Sequence, residues 1–388
     1  MEIKGVDRGR NLCGNKGDFT NPNGNVFRRN TMVSRALIGD PPTKISTFCP
    51  KNSSVWTLKP QEKTVCKYWM SGHCTRGDKC WYSHSWSLGG GFAMLAKLEG
   101  HKKAVQGVAL PSGSDKLYSG SSDGTARIWD CNTGKCVQLI KLGNEVGCLI
   151  TEGPWVFIGM KNVVKALNIH TANEFNLKGP VGQVYAMVVA SDMLFAGAQN
   201  GAIIVWRGSS KASSFQAAAS LEGHTGAVLC LAVGEKKLFS GSADQTIRVW
   251  DTDTLHCIKS LNGHADAVMS LLYCNGCLFS CSLDCTVKVW FAKEGQNWEV
   301  IYSHNEENGV LTLCGMNDAE TKPVLFCSCN DNTVRLYELP SFSERGRLFS
   351  KQEVRVIERG PDGLFFTGDA TGSLTVWRWL QKPQGGAS

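Results

Sequence analysis

Residues 223–251 read GHTGAVLCLAVGEKKLFSGSADQTIRVWD. Apolar residues alternate or gather in short runs rich in Val, Leu, Ile, Phe and Trp, with turn residues between them, a pattern that suits short strands better than helices. The reading places strands at 228–233, 238–242 and 246–250, and a fourth at 257–261 just beyond the stretch. The same order of residues returns in GHKKAVQGVALPSGSDKLYSGSSDGTARIWD, ending at Asp130, and in GHADAVMSLLYCNGCLFSCSLDCTVKVWF, ending at Phe291. Three weaker copies end in AIIVW at Trp206, TVRLY at Tyr337 and SLTVW at Trp377. A degenerate copy, FIGMKNVVKALN at 157–168, fills the double gap between Trp129 and Trp206.

A repeat of about 40 residues with four short strands has the dimensions of one propeller blade. The units resemble WD repeats, and seven copies predict an all-β, seven-bladed WD-repeat β-propeller over residues 92–380. Residues 92–98 precede the first Gly-His and have no blade of their own. They are expected to form the outer strand of the last blade, so that both ends of the ring pair in one sheet and no edge is left open.

His224, Ser240 and Asp244 invite reading as a catalytic triad, but the set, with Trp250, recurs as His101, Ser119, Asp123 and Trp129 and again as His264, Ser280, Asp284 and Trp290. A nucleophile is needed once, whereas each blade needs its buried polar groups satisfied, so these residues read as internal hydrogen-bond relays and no enzyme is expected. Blade two keeps none of the set. Blades three, six and seven carry Asn200, Asp331 and Thr371 near the Asp position without the Gly-His, and are expected to be looser or held by other packing. Arg127, Lys165, Arg248, Lys288 and Arg335 recur two residues before the blade-core residue and read as a common feature of such repeats, not a nucleic-acid surface.

Ahead of the repeats, CKYWMSGHCTRGDKCWYSH at residues 66–84 sets Cys66, Cys74, Cys80 and His84 in C-x7-C-x5-C-x3-H spacing. Three thiolates and one imidazole form the closed tetrahedral set of structural zinc, with no open position for a reacting water. A segment of this size, 61–87, cannot bury enough apolar surface to fold alone, and zinc, worth about 10 to 16 kcal/mol in finger peptides, takes the place of a core. His73 is the rival ligand, but using it breaks the x5 and x3 spacing. The segment resembles CCCH zinc fingers, which mostly bind single-stranded RNA. That resemblance implies turns at Gly72 and Gly77, a role for the Lys67-Tyr68 pair after the first Cys, and an aromatic slot at Tyr82.

Side chains decide whether a zinc module reads nucleic acid or only staples the chain. Tyr68, Trp69, Trp81 and Tyr82 are too many rings for so small a domain to bury, and Lys63, Lys67, Arg76 and Lys79 interleave with them, as in stacking platforms for unpaired bases. The alternative is that Tyr68 and Tyr82 pack over the metal and each other. Two stacked bases at about 1 to 3 kcal/mol each leave a lone finger with millimolar to micromolar affinity.

Residues 1–91 hold 14 Lys and Arg against 6 Asp and Glu, a net +8, while 92–388 are nearly neutral at 27 against 28. A basic segment on a neutral body is the footprint of a polyanion binder and could supply the phosphate contacts that the finger lacks. Residues 1–60 are rich in Asn, Gly, Arg and Ser (GRNLCGNKGDFTNPNGNVFRRN at 9–30) and are expected to be a disordered basic arm, with a disordered tail at 381–388. No apolar run approaches membrane-spanning length and the start lacks a signal-peptide core, so an intracellular protein with reduced thiols is expected despite 17 cysteines. Cys274, Cys277, Cys281 and Cys285 read as small hydrophobes along a strand pair, not as a second metal site, and Cys327 and Cys329 likewise sit in a strand.

A CCCH finger followed directly by a seven-bladed ring, joined through 85–91, is similar to the plant family of CCCH zinc-finger proteins with WD repeats. The resemblance implies a nuclear, nucleocytoplasmic or otherwise intracellular, zinc-dependent nucleic-acid-binding protein. The leading expectation is a monomeric adaptor in which arm and finger hold single-stranded RNA while a ring face docks proteins. One alternative is a protein-interaction scaffold or ubiquitin-ligase substrate receptor with a purely structural finger. The receptor version is weakened because Trp250-Asp251-Thr252-Asp253 and Trp129-Asp130-Cys131-Asn132 lack the W-D-x-R ending usual for cullin adaptors. DNA binding is the other, supported by the arm alone.

Overall fold

In the blade at 228–261 the inner strand Val228–Gly234 alternates between buried and half-buried residues, while the second strand Lys237–Ser242 is buried throughout after its first residue. The inner strand lines a channel on one edge, whereas the second is covered on both faces by the neighbouring blades, so alternation gives way to a continuous run. The outer strand Cys257–Leu261 is largely exposed. The computed structural model describes residues 65–89, 91–208, 214–293, 297–318 and 322–380. The expected arm at 1–60, the tail at 381–388 and Lys63 lie outside the described residues.

The strands form seven antiparallel sheets in sequence order, the first six each containing a four-stranded meander from inner to outer strand and the seventh taking its outer strand from the start of the repeats. The protein is a seven-bladed β-propeller, nearly all β. The degenerate copy is a full blade: Trp155–Met160 pairs with Val163–Asn168, and Leu167 stands opposite Val156 as Trp250 stands opposite Leu238. Phe92–Leu98 pairs with Leu374–Trp379, Phe92 opposite Trp379 and Leu98 opposite Leu374, which closes the ring as expected. Apolar clusters lie between blades and not within them; one joins Phe239 and Val249 of blade four to Val268, Leu271 and Trp290 of blade five.

Three blades carry the relay. In blade four Trp250 Nε1 donates to Ser240 Oγ at 2.8 Å, Ser240 Oγ lies 2.8 Å from His224 Nε2, and His224 Nδ1 lies 2.8 Å from Asp244 Oδ2. Only one proton order satisfies every partner: indole to hydroxyl, hydroxyl to Nε2, Nδ1–H to carboxylate. Blades one and five repeat it through Trp129, Ser119 and His101 and through Trp290, Ser280 and His264.

Blades six and seven are held by other groups. Counting four residues back from Val310, as His224 stands four before Val228, reaches Glu306. Its Oε1 accepts from the Tyr337 hydroxyl at 2.6 Å, and its Oε2 accepts from Arg335, which also reaches Asp331 at 3.1 Å. In blade seven Thr371 stands at the Asp position, as expected, and the carboxylate lies elsewhere. Asp369, two residues earlier and at the register position of Ser242, accepts from the Thr371 backbone and hydroxyl and from Ser350 Oγ at 2.7 Å. In blade three Asn200 Oδ1 accepts only a long bond, 3.3 Å, from the Ala202 backbone, and the relay position is the apolar Ala196.

The recurrent cations are bound within their own blades. Arg127 Nη2 donates to Gly100 O at 2.8 Å, Lys165 pairs with Glu174 at 2.8 Å and Lys288 donates to Ser303 at 3.3 Å. The cysteines near 280 do not converge. Cys274 faces Cys277 across a hairpin, Cys281 is buried with its Sγ 3.6 Å from Val310 O, and Cys285 occupies a positive-φ turn position like Gln245.

Candidate metal centre and nucleic-acid interface

Residues 65–84 fold as a knot of turns. Val65 bridges Ser83, and the Cys66 N–H donates to Ser83 O at 2.9 Å, which brings the first and last ligands together. A four-residue helix, Lys67–Met70, follows Cys66, whose Sγ accepts the Trp69 N–H at 3.4 Å. Gly72 has φ 79° and Gly77 φ 48°, left-handed conformations that glycine adopts without strain and that reverse the chain before Cys74 and Cys80. A 3-10 turn at Gly77–Lys79 delivers Cys80.

These turns place one ligand atom each from Cys66, Cys74, Cys80 and His84 within 4.8 Å of one another; among the described residues no other such group occurs. His73 is exposed and outside the group. The residues fit a zinc ion on two counts. The donor set is Cys3His, and His84 Nε2 is buried without a hydrogen-bond partner, a costly state for an imidazole unless a metal occupies the nitrogen. The Trp69 amide on the Cys66 sulfur is the kind of outer contact that orients a thiolate ligand.

Around this knot Trp81 is 79% exposed, Tyr68 72% and Tyr82 55%, so neither tyrosine is consumed by packing over the metal site. Lys67, Arg76 and Lys79 are exposed beside them. Trp69 departs from the expectation. Its ring lies nearly parallel to His84, centroids 5.6 Å apart, and meets Trp86 at 5.1 Å, so its faces are engaged within the protein.

The connector at 85–91 carries structure of its own. Ser87–Leu88 forms a strand that adds to the outer strand Ser343–Phe349 of blade six and makes a fifth member of that sheet. Finger and ring cluster in one compact unit. Sequence reasoning missed Trp86 and Glu306. The spacing back from Val310 could have found Glu306, whereas a two-residue strand leaves no periodic signal.

The inner strands of all seven blades contribute to a polar-mouthed channel of about 510 Å³, lined among others by Gln106, Glu145, Lys161, Tyr185, Met269 and Arg355. The relay histidines and serines do not line this channel, and their side chains are almost fully enclosed.

Fold and site define a β-propeller bearing a CCCH-type zinc finger. The WD domain, G-beta repeat family matches residues 92–130, 215–251 and 255–290, and the CCCH-type zinc finger family matches 64–85. The chain is 61% identical over 349 residues to zinc finger CCCH domain-containing protein 63 of Arabidopsis thaliana, covering 87% of this chain and 79% of the relative. It is 56% identical over 315 residues to zinc finger CCCH domain-containing protein 17 of Oryza sativa subsp. japonica, covering 81% of this chain and 72% of the relative. The chain belongs to this family of plant CCCH zinc-finger proteins with WD repeats. Among solved structures, the WD40 beta propeller domain of Doa1 shares the fold, with a TM-score of 0.62 at 21% identity over 78% of this chain and all of that chain.

Proposed function

We propose that the protein is a zinc-dependent, single-stranded RNA-binding adaptor that works in the nucleus as a monomer and is not an enzyme. One structural zinc ion, held by Cys66, Cys74, Cys80 and His84, orders the finger. The observation that carries the reading is the exposure of Trp81, Tyr68 and Tyr82 together with Lys67, Arg76 and Lys79 on a fold too small to bury them. Free ring faces next to cations suit unpaired bases, which duplex grooves do not offer. The ring's channel mouth supplies a separate surface for a protein partner.

The test is binding of the full chain to fluorescent single-stranded RNA at physiological salt, competed with unlabelled RNA, single-stranded DNA and duplex DNA. Saturable binding that Cys80→Ser abolishes, and that single-stranded RNA displaces best, supports the reading. Equal affinity for wild type and Cys80→Ser overturns it, and preferential displacement by duplex moves the assignment to DNA.

A second reading has its own observation. The engagement of Trp69 with Trp86 and the addition of Ser87–Leu88 to blade six suit a finger that serves as a staple on an interaction scaffold. Crosslinking in cells that recovers proteins and no RNA favours it.

A further inference from the structure

Blade seven lacks the histidine that fills the relay position in blade four. Val354 stands opposite Asp369 as Val228 stands opposite Ser242, so the register puts Ser350 where His224 sits, Thr367 where Ser240 sits and Trp377 where Trp250 sits. Trp377 Nε1 still donates to Thr367 Oγ1 at 2.9 Å, but a serine side chain is far smaller than an imidazole and leaves a crevice. Trp86 lines that crevice together with Ser350, Thr367, Asp369 and Trp377, and the space remaining is about 10 Å³, at the lower limit for a single water. Lys97 Nζ caps the Trp86 ring at 3.2 Å.

The backbone around Trp86 is fitted to this placement. Phe349 N–H donates to Trp86 O at 2.9 Å, next to the paired strand Ser87–Leu88. A Cβ on Gly346 would stand 2.5 Å from Leu88 O, and one on Gly89 would stand 2.5 Å from Arg345 O, so both strands approach as only glycine allows. Trp86 also meets Trp69, which stacks on the ligand histidine His84. A continuous path of rings thus runs from the metal group into the crevice between blades six and seven.

We infer that this crevice is the docking site of the finger, with Trp86 as the positioning residue, and that zinc occupancy and the closure of blades six and seven form one linked equilibrium. A ligand that binds only the folded finger stabilises whatever the folded finger packs against. Loss of zinc releases 65–84, withdraws the support of Trp69 from Trp86 and opens the crevice, while blade four, closed by its own histidine, is indifferent. The inference rests on zinc filling the Cys3His group and is independent of what the finger binds.

Hydrogen exchange on the full zinc-loaded chain, its metal content measured on the same sample, tests it with and without a strong chelator. Chelation is expected to speed exchange several-fold in Ser343–Phe349 and Val354–Arg359 and to leave Val228–Gly234 unchanged. Trp86→Ala reproduces the fast exchange with zinc bound and makes blades six and seven insensitive to chelator. Gly346→Ala, which displaces the linker strand and with it Trp86 while removing no aromatic side chain, gives the same pattern if Trp86→Ala folds poorly. A zinc-loaded chain whose blades six and seven ignore chelation overturns this inference alone; a chain that binds no zinc overturns the metal reading and the inference with it.

Discussion

Tyr337 donates its hydroxyl to Glu306 at 2.6 Å across blade six, in the place where blade four joins Trp250 to His224 through Ser240. Burial and the Glu306 carboxylate push the phenol well above its usual range, so Tyr337 remains a donor at any pH the fold tolerates. One task, satisfying a polar group at the blade-core position, is solved with Glu306, Arg335 and Tyr337 instead of the Trp-Ser-His-Asp relay.

Glu306→Ala is therefore expected to be severe. It leaves the buried Arg335 with Asp331 at 3.1 Å and the exposed Glu307 at 3.7 Å, and orphans the Tyr337 hydroxyl. Removing one member of a buried ion pair costs about 3–5 kcal/mol. Glu306→Gln keeps an acceptor for Tyr337 and should cost less. Urea unfolding of both variants, and of the pair with Arg335→Met, measures the order. A Glu306→Ala midpoint equal to wild type contradicts the trio's role.

The relays make stability depend on pH in two stages. Burial lowers the pKa of His101, His224 and His264, an effect that their aspartates only partly offset. The unfolded chain therefore takes up protons first, near the ordinary value of about 6.5. Stability is full above that pH and declines as pH falls toward the folded values. Burial also works against charge on Asp123, Asp244 and Asp284, but hydrogen bonds from Thr125, Thr246 and Thr286 and from the histidines outweigh it, bringing Asp244 to about 2. Their contribution is present above the unfolded value of about 3.9 and is lost as pH falls below it. Urea midpoints between pH 8 and 5 should fall before any carboxylate titrates, and a flat profile there would count against neutral buried histidines.

Much of this was legible in the chain. Gly-His, Ser, Asp and Trp at fixed offsets mark a relay because the hydrogen bonds require those groups at those places, and the finger's four ligands are as explicit. Glu306 was hidden because a carboxylate takes the histidine's place here together with Tyr337 in place of tryptophan and Cys327 in place of serine, so the Gly-His, Ser and Trp marks of the repeat are all missing at once. Trp86 was hidden for another reason. Its partner crevice is defined by an absence, Ser350 in place of histidine, some 260 residues away in sequence, and the strand that carries it is too short to show alternation. Trp69 was assigned to the reading surface by composition alone, which cannot tell a free ring face from an engaged one.

Close approach between blades gives another expectation. A Cβ on Gly241 would lie 2.6 Å from Val268 Cγ1 of blade five and 2.6 Å from Cys230 Sγ. Gly241→Val should destabilise by about 1–3 kcal/mol through overpacking, read as a lower thermal midpoint. At the matching position of blade five Cys281 is accommodated, its Sγ directed at Val310 O of blade six. Cys281→Val should thus be milder than Gly241→Val, and the reverse order would contradict the packing described.

The finger's tryptophans should separate RNA contact from attachment to the ring. Trp81 is exposed and stacks on nothing among the described residues, so Trp81→Ala removes a base platform and leaves the fold alone. One stacked base is worth about 1–3 kcal/mol, which is about 5- to 150-fold in Kd. Trp69→Ala opens the path between His84 and Trp86 and is expected to act on zinc retention and on protection of blades six and seven before it acts on RNA. Arg76→Ala should weaken binding at every sequence and flatten the salt dependence by about 0.7 in logarithmic slope if it touches one phosphate of a single strand. Fluorescence anisotropy with single-stranded RNA at two salt concentrations, with zinc content measured for each variant, resolves the three. If Trp69→Ala costs as much RNA affinity as Trp81→Ala while holding its zinc and its blade protection, Trp69 belongs to the reading surface after all.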